Sequence, residues 1–179
     1  MDRIQLKDRW FEIFLTEETI LKEINRVATE LNEDWKDKNP VFVCILNGAF
    51  MFAAELIGRF RSDCDVTFIR LQSYAGLERG DGMHEIQGLA EDIENRHVVI
   101  VEDIIDTGHT MNYLVNKLKT YRPATVQIAT LLFKPDALQM PIRPDYVAQS
   151  IPNDFIVGFG LDYNGRGRNL RNIYKVLPE

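Results

Sequence analysis

The chain has 179 residues, of which 45% are hydrophobic and 27% are charged, and its formal net charge is −6. This length suits one domain with a core of its own. The acidic balance argues against general nucleic-acid binding, because no surplus of Lys and Arg is available to displace counterions from a phosphate backbone.

The cysteine pattern and the apolar runs indicate a compartment. Cys44 and Cys64 lack the spacing of a metal site, and Cys44 lies in an apolar run, so we interpret both as free thiols. No apolar run approaches membrane-spanning length, and charged residues interrupt the apolar ones at the N-terminus. We therefore expect a cytoplasmic protein, neither secreted nor embedded in a bilayer. Without repeats or long linkers, residues 1–179 are predicted to form a single domain.

The first predicted elements are a helix, a strand and a second helix. Thr16 is a plausible N-cap, and helical spacing follows it. The apolar positions with that spacing are Ile20, Leu21, Ile24, Val27, Ala28 and Leu31. A continuous apolar run at 41–46 predicts a strand, Asn47-Gly48 a turn, and residues 49–60 a helix.

The middle of the chain predicts a further strand, a long loop and a second strand-helix-strand unit. Residues 66–71 have strand character, and the polar stretch 72–84 contains three glycines, which is typical of a lid or a disordered excursion. A strand at 97–102, a turn at 103–109, a helix at 110–121 and a strand at 125–133 follow. Strands that are apolar throughout are buried on both faces, so we predict an open, mostly parallel α/β sheet. Residues 141–179 are expected to be antiparallel or to form a small lobe.

A charged segment, residues 102–110, follows the most apolar strand. Ligands of open α/β sheets bind outside the carboxyl ends of the strands, which is where this segment is expected to lie. Thr107, Gly108, His109 and Thr110 lead into a helix, so successive backbone N–H groups and the helix dipole can face a phosphate. Gly108 permits close approach, and the two threonine hydroxyls add donors.

Three carboxylates, Glu102, Asp103 and Asp106, stand beside this predicted phosphate turn. Adjacent acids on an extended segment point to opposite sides, and both can accept hydrogen bonds from sugar hydroxyls or approach a hydrated Mg²⁺. Asp106 could serve as a base. The alternative is that the acids merely end the strand and that Asp106-Thr-Gly is an ordinary turn or N-cap. The complete constellation favours the functional interpretation.

The stretch VVIVEDIIDTGHT, residues 98–110, resembles the phosphoribosyl-pyrophosphate signature of type I phosphoribosyltransferases, and its EDIID form resembles the hypoxanthine-guanine branch. Other segments resemble that family in the same order: GAFMF at 48–52, QSY at 72–74, LLFKP at 131–135 and SIPNDFIVGFGLDY at 150–163. The resemblance runs from about residue 40 to the C-terminus. It implies the family fold, with a core at about 35–140, a hood lobe made of the N-terminal segment and about 141–179, and a flexible lid.

The resemblance also implies roles for the charged segment. Glu102 and Asp103 would hold the ribose hydroxyls and the Mg²⁺ shell. Asp106 would be the general base at the imidazole-ring nitrogen of the purine. The main chain from 106 to 110 would hold the 5′-phosphate. The implied substrate-binding set in this segment is Glu102, Asp103, Ile104, Ile105, Asp106, Thr107, Gly108, His109 and Thr110.

Three further residues are implied to bind the base. Lys134 would donate to the purine carbonyl, Phe155 would stack on the ring, and Ile156 would present backbone to the base edge. Taken singly, Lys134 could be an ordinary polar strand end and Phe155 a core residue. An ammonium donates to a carbonyl but not usefully to an exocyclic amine, so Lys134 favours a 6-oxopurine over adenine.

The pyrophosphate end of the site is implied to involve Asp162, as ligand of a second Mg²⁺, and Arg168, as a contact of the leaving group. Ser73 and Tyr74 would lie on the lid. Arg166 and Arg168 could instead belong to a solvated turn or an Arg/Gly nucleic-acid patch, and which of the two contacts pyrophosphate stays open.

Two positions depart from the family pattern. Asn47, before Gly48, stands where the family commonly has Lys or Arg, in a turn that includes a cis peptide. A role of the Asn47 backbone in substrate binding is still expected. A contact between subunits that the missing cation would make is in question. His109 stands where Lys or Asn is frequent, and it is interpreted either as a neighbour of the phosphate or as a spectator.

The expected function is purine salvage. The chain would transfer the phosphoribosyl group from 5-phosphoribosyl 1-pyrophosphate to hypoxanthine, and to guanine, with Mg²⁺ as cofactor and Asp106, Lys134 and Arg168 as catalytic residues. A homodimer or homotetramer is expected, without nucleic-acid or membrane partners. One alternative is a regulator that keeps the fold and senses phosphoribosyl pyrophosphate or nucleotide. Another is a related transferase for a pyrimidine or a different purine.

Overall fold

The computed structural model describes residues 3–73 and 83–178. In chain order the elements are β1 (Arg3–Leu6), β2 (Arg9–Leu15), α1 (Glu17–Asp34), β3 (Val41–Leu46), α2 (Phe50–Ile57), β4 (Asp65–Ser73), β5 (Met83–Gln87), β6 (His97–Ile105), α3 (His109–Lys119), β7 (Thr125–Phe133), a 3₁₀ turn (Pro135–Ala137), β8 (Tyr146–Ser150), β9 (Ile156–Val157) and β10 (Ile173–Val176). Tyr74, predicted to lie on the lid, is outside the described residues.

The core is a six-stranded sheet in the order β5-β4-β3-β6-β7-β8. Within this sheet the five strands β4, β3, β6, β7 and β8 run parallel, and β5 pairs antiparallel with β4 at the edge. At the centre, residues 41–44 of β3 and 98–101 of β6 have no exposed surface. Such strands need apolar side chains at every position, because both faces of the sheet are covered. The predicted α/β fold with a mostly parallel sheet is confirmed.

Alternate residues of the central strands pack against different helices. Phe42 and Cys44 of β3 belong to the cluster formed with α1 and α2, whereas Val41 and Val43 belong to the cluster formed with α3. Helix α1 begins as predicted, since the hydroxyl of Thr16 accepts a hydrogen bond from the N–H of Thr19 at 3.3 Å. The helices thus hold the sheet from both sides and leave the carboxyl ends of its strands accessible.

A second, antiparallel sheet has the order β1-β2-β10-β9 and its own small cluster, centred on Phe11, Val157 and Tyr174. The predicted start of the hood lobe at about residue 141 is too early, because β8 pairs in parallel with β7 in the core sheet. Helix α1 packs on the core sheet, in a cluster that also includes Ile156 of β9 and Ile173 of β10.

Two predicted boundaries at the charged segment shift. Strand β6 continues to Ile105 and not to 102, because Ile104 and Ile105 pair with Leu132 and Phe133 of β7. The predicted turn therefore shortens, and α3 begins at His109. None of the helices within 3–73 and 83–178 is long and apolar enough to span a membrane.

Candidate active site

Asp106 and Lys134 meet at the ends of two neighbouring parallel strands. Ile105 and Phe133 are paired residues of β6 and β7, so the next residue of each strand emerges at the same edge of the sheet. The N–H of Lys134 donates to the carbonyl of Ile105 at 2.9 Å, which fixes the exit of the chain. Lys134 Nζ then lies 2.9 Å from Asp106 Oδ2. A cation and a carboxylate therefore stand side by side in the cleft.

The two partners differ in their contact with solvent. The side chain of Lys134 is 8% exposed, whereas that of Asp106 is 45% exposed. Asn153 Oδ1 accepts a second, longer hydrogen bond from Lys134 Nζ at 3.4 Å. The ammonium is thus held by two acceptors inside the protein, while Asp106 keeps an open side toward the cleft.

Glu102 and Asp103 form an acidic pair on β6 that precedes Asp106, with Glu102 buried and Asp103 partly exposed. Glu102 is 7% exposed, and its Oε2 has no hydrogen-bond partner among the described residues. Burial, followed by the negative charge of Asp103, raises the pKa of Glu102 well above its ordinary value. Asp103 Oδ1 accepts from the N–H of Ile104 at 2.8 Å. A buried carboxylate oxygen without a partner is a place where a ligand group or cation gains a contact.

The acidic pair fits Mg²⁺ in the manner that this ion prefers. In the part of the chain that the structure describes, no group of three or more His, Cys, Asp or Glu side chains is arranged to hold a metal ion. Mg²⁺ bound with a phosphorylated substrate usually uses only one or two protein carboxylates, with phosphate oxygens and water completing its shell. Glu102 and Asp103, with one oxygen unpartnered, suit such a shared site.

Gly48 brings the turn after β3 against the acidic pair. A side chain at Gly48 would overlap the carboxylate of Asp103, and one at Gly160 would overlap the carbonyl oxygen of Gly48. Three segments therefore pack at one point: the β3 exit, the β6 exit and the loop after β9. The Leu46–Asn47 peptide is cis, as the family resemblance implied, and Asn47 is exposed.

The turn before α3 borders a cavity. Gly108 has φ 84°, a left-handed conformation that glycine adopts without strain, and an added Cβ would lie 2.8 Å from Leu138 Cδ1. The cavity measures about 250 Å³. It is lined by Glu102, Asp103, Ile104, Ile105, Asp106, Thr107, Gly108, Thr110 and Met111. Because the first N–H groups of a helix lack intrahelical partners, this turn suits a phosphate.

His109 stands apart from that lining. Its Nε2 lies 3.2 Å from Oε1 of Gln139, on the chain after β7. The contact ties the start of α3 to the segment beyond Lys134.

Arg168 and Asp162 pair beside the Gly160 carbonyl. Arg168 Nη2 lies 2.6 Å from Asp162 Oδ1, and Nη1 donates to the carbonyl of Gly160 at 2.7 Å. The N–H of Gly165 donates to Asp162 Oδ2 at 2.6 Å. Gly160 in turn packs on Gly48, so this pair lies near the β3 turn. Arg166 is exposed, whereas Arg168 is partly buried.

Phe155 is 46% exposed, whereas Ile156 is 6% exposed in β9. Phe155 follows Asn153 by two residues and so lies close in the chain to the group that contacts Lys134. Ser73 ends β4.

Two groups of this site were missed by sequence reasoning. Asn153 lies within the segment 150–163 that resembles the family, but nothing in the sequence signals its contact with Lys134. Gly160 could have been found, because a glycine between Phe159 and Leu161 in an apolar run marks close backbone approach.

The chain matches the phosphoribosyl transferase domain family over residues 12–164. It is similar to the hypoxanthine-guanine phosphoribosyltransferase of Streptococcus thermophilus, with 40% identity over 160 residues and 89% of each chain covered. The Streptococcus pneumoniae enzyme of that name is 39% identical over 169 residues, covering 94% of this chain and 93% of the relative.

Solved structures agree. A hypoxanthine phosphoribosyltransferase from Staphylococcus aureus has a TM-score of 0.88 and 36% identity, covering 93% of this chain and 91% of that one. The hypoxanthine phosphoribosyltransferase from Trypanosoma cruzi, in complex with the product IMP, has a TM-score of 0.88 and 36% identity, and 98% of each chain is covered.

Proposed function

The chain belongs to the phosphoribosyltransferase family, on its hypoxanthine-guanine branch, and from this premise we propose how its residues act. It is a purine-salvage enzyme that transfers the phosphoribosyl group of 5-phosphoribosyl 1-pyrophosphate to hypoxanthine, giving IMP and pyrophosphate. Guanine is proposed as a second acceptor, giving GMP. The observation that carries the assignment of residues is the 2.9 Å contact between Lys134 and Asp106.

The base is bound by this pair. Lys134 Nζ donates a hydrogen bond to the carbonyl oxygen of the 6-oxopurine, and the open side of Asp106 accepts the proton of the imidazole ring. The other imidazole nitrogen forms the new bond to the anomeric carbon of the ribose. The bond from that carbon to the pyrophosphate oxygen breaks, and its electron pair leaves with the pyrophosphate. General-base help of this kind contributes typically ~10²–10⁴-fold in rate.

The purine ring is proposed to stack on the open face of Phe155, with the backbone of Ile156 facing the base edge. Selection against adenine follows from Lys134. Its buried ammonium finds an acceptor in the carbonyl of hypoxanthine, but it faces a donor in the exocyclic amine of adenine.

The phosphoribosyl group is proposed to lie along the β6 exit. The turn Thr107–Thr110 holds the 5′-phosphate through backbone N–H groups and hydroxyls, so binding needs no surplus of cations. Glu102 and Asp103 accept hydrogen bonds from the ribose hydroxyls. Asn47 and Gly48 contribute backbone, and Arg168 contacts the pyrophosphate.

Mg²⁺ is the proposed cofactor. Glu102 and Asp103 would hold one ion, and Asp162 would hold a second one at the pyrophosphate. When bound, Mg²⁺ supplies positive charge that stabilises the departing pyrophosphate. The protein's part is to place Arg168 on the same leaving group and to hold Asp162 through its contacts with Arg168 and the N–H of Gly165.

Assembly and compartment are also proposals. Val66 and Phe68 lie on one side of β4 and are 39% and 41% exposed, and Phe50 of α2 is 43% exposed. We propose that a second copy of the chain covers such apolar surface in a homodimer or homotetramer. The free thiols of Cys44 and Cys64 fit a reducing, cytoplasmic compartment.

The experiment is a panel of bases. Purified protein is incubated with Mg²⁺ and phosphoribosyl pyrophosphate, and nucleotide formation is measured in parallel with hypoxanthine, guanine, xanthine, adenine and uracil. IMP and GMP are expected, without AMP or UMP. Activity with xanthine shows how the site selects among exocyclic groups at the edge of the base that lies far from Lys134. If no base yields a nucleotide, the alternative function is favoured, in which a protein of the same fold is a regulator that senses phosphoribosyl pyrophosphate or nucleotide.

A further inference from the structure

Phe155 belongs to a cluster of three aromatic rings that joins the base-binding segment to the N-terminal hairpin. The ring centroids of Phe155 and Tyr163 lie 5.8 Å apart at an interplanar angle of 82°, an edge-to-face contact. Tyr163 and Phe11 are 5.8 Å apart, and Phe11 and Phe155 are 6.4 Å apart. Phe11 is fully buried. The cluster therefore covers part of the Phe155 ring and leaves 46% of the residue open.

The backbone of Phe155 is fixed separately from its ring. Its carbonyl accepts from the N–H of Val176 in β10 at 2.9 Å, and β9 begins at the next residue. A phenylalanine can still rotate about its side-chain torsions when its backbone is held. The orientation of the exposed ring thus depends on what touches it, and Tyr163 and Phe11 supply those contacts.

Tyr163 is itself anchored by the N-terminal hairpin. Its hydroxyl donates to Asp8 Oδ1 at 2.9 Å, and Asp8 lies in the turn between β1 and β2. This hydrogen bond lowers the pKa of Asp8 and raises the pKa of Tyr163. The backbone of Tyr163 is held by two hydrogen bonds with Arg166, at 2.9 and 3.0 Å.

We propose that Tyr163 is a positioning residue for the purine-stacking ring of Phe155 and that Asp8 anchors it. The inference rests on the proposed function of Phe155. Tyr163 does not touch the base in this scheme; its edge-to-face contact with Phe155 holds the Phe155 ring in the orientation that a planar 6-oxopurine needs. The N-terminal hairpin, which lies outside the core sheet, thereby takes part in base recognition.

The test compares Tyr163→Ala, Tyr163→Phe and Asp8→Ala with the wild-type chain, by the separate KM values of hypoxanthine and phosphoribosyl pyrophosphate and by kcat. Tyr163→Ala is expected to raise the KM of hypoxanthine about 2- to 12-fold, the size of an edge-to-face contact between rings. The KM of phosphoribosyl pyrophosphate and kcat are expected to stay within about twofold. Tyr163→Phe keeps the ring but loses the hydrogen bond to Asp8, as Asp8→Ala does. Both variants are therefore expected to raise the KM of hypoxanthine less than Tyr163→Ala does.

Controls separate this role from a general effect on folding. Tyr121 is similarly aromatic and 45% exposed, and Tyr121→Ala is expected to leave all three constants unchanged. If thermal melting shows that Tyr163→Ala is not folded, Tyr163→Leu replaces it in the test. The same rise in the KM of hypoxanthine is expected, because leucine fills space but lacks a positive ring edge.

The inference is overturned if Tyr163→Ala leaves the KM of hypoxanthine at the wild-type value, or if it raises the KM of both substrates alike, which would place its effect on neighbouring Asp162. It is also overturned if Tyr163→Phe is as impaired as Tyr163→Ala. A wild-type chain that makes no nucleotide would instead remove the proposed function, and the two failures are therefore distinguishable.

Discussion

The ammonium of Lys134 lies 2.9 Å from the carboxylate of Asp106 because two paired parallel strands deliver both residues to one edge of the sheet. The pairing has a chemical consequence. A 6-oxopurine presents a carbonyl acceptor and an imidazole-ring N–H donor along one edge of its ring system, and this pair presents a donor and an acceptor in return. In the proposed mechanism, recognition of the base and removal of its proton therefore use the same two side chains.

Replacing Lys134 by methionine removes the donor while keeping an extended side chain. We expect kcat/KM for hypoxanthine to fall about 10- to 100-fold, since a hydrogen bond from a charged group contributes about 1.5–3 kcal/mol. Without the ammonium, the site should also discriminate less against adenine, so nucleotide formation with adenine relative to hypoxanthine should rise. Lys119→Met, at an exposed position that ends α3, is the control. An unchanged ratio of hypoxanthine to adenine activity in Lys134→Met would contradict the role of Lys134.

The two arginines near the C-terminus give a matched comparison. Arg168 contacts Asp162 and the Gly160 carbonyl, whereas Arg166 is exposed. Arg168→Gln should lower kcat/KM for phosphoribosyl pyrophosphate about 10- to 100-fold, because a charge-assisted contact to the leaving group is lost. Arg166→Gln should stay near wild type. Steady-state kinetics with phosphoribosyl pyrophosphate varied measures both, and equal losses in the two variants would reject the assignment of Arg168.

Gly48 tests the packing of the β3 turn on Asp103. A methyl group at this position would overlap the Asp103 carboxylate and push it from its place. We expect Gly48→Ala to lower kcat/KM for phosphoribosyl pyrophosphate by about 100-fold, the cost that a shift of ~1 Å in a site can have. Gly58→Ala, at a helix end with φ −61°, is the control. Wild-type kinetics in Gly48→Ala would show that Asp103 does not need this position.

The burial of Glu102 predicts that the folding stability of the chain in metal-free buffer depends on pH. Because its pKa in the folded chain lies above the ordinary 4.5, the folded chain keeps a proton that the unfolded chain releases. This contribution to stability is complete below pH ~4.5 and is lost as the pH rises through the folded-state pKa. Glu102→Gln stays neutral, so its advantage over wild type should grow with pH.

We expect the melting temperature of Glu102→Gln to exceed that of the wild type by about 2–4 °C at pH 8, the shift that ~1 kcal/mol produces at this size. The difference should shrink toward pH 5. Glu91→Gln, at an exposed position, should show no such trend. A constant difference across this range, measured by thermal melting, would mean that Glu102 titrates like an exposed glutamate.

Much of the fold could be predicted because the core follows simple patterns. Apolar runs gave β3, β6 and β7, and helical spacing after Thr16 gave α1 with its N-cap. Strand β8 lies within residues 141–179, where the mixture of prolines and short β-like runs predicts antiparallel structure or a small lobe. Only its pairing with β7 shows that it belongs to the core sheet.

The site was predictable where its residues are consecutive and not where it depends on register. Residues 102–108 and Thr110 line one cavity, and because they are nearly consecutive their grouping could be predicted from the sequence. The contacts of Asn153 with Lys134 and of Tyr163 with Asp8 join residues 19 and 155 positions apart. Such contacts are fixed by how strands and sheets pack, and a single sequence carries no local signal for them.

Asp106 is the residue on which the proposed chemistry depends. Asp106→Asn keeps the size of the side chain and removes the base, while Asp136→Asn, at an exposed acid two residues after Lys134, is the control. Turnover is measured with Mg²⁺ and with both phosphoribosyl pyrophosphate and hypoxanthine saturating. We predict that kcat of Asp106→Asn falls ~10²–10⁴-fold while Asp136→Asn stays at the wild-type value. An Asp106→Asn enzyme with unchanged turnover would contradict the base role of Asp106.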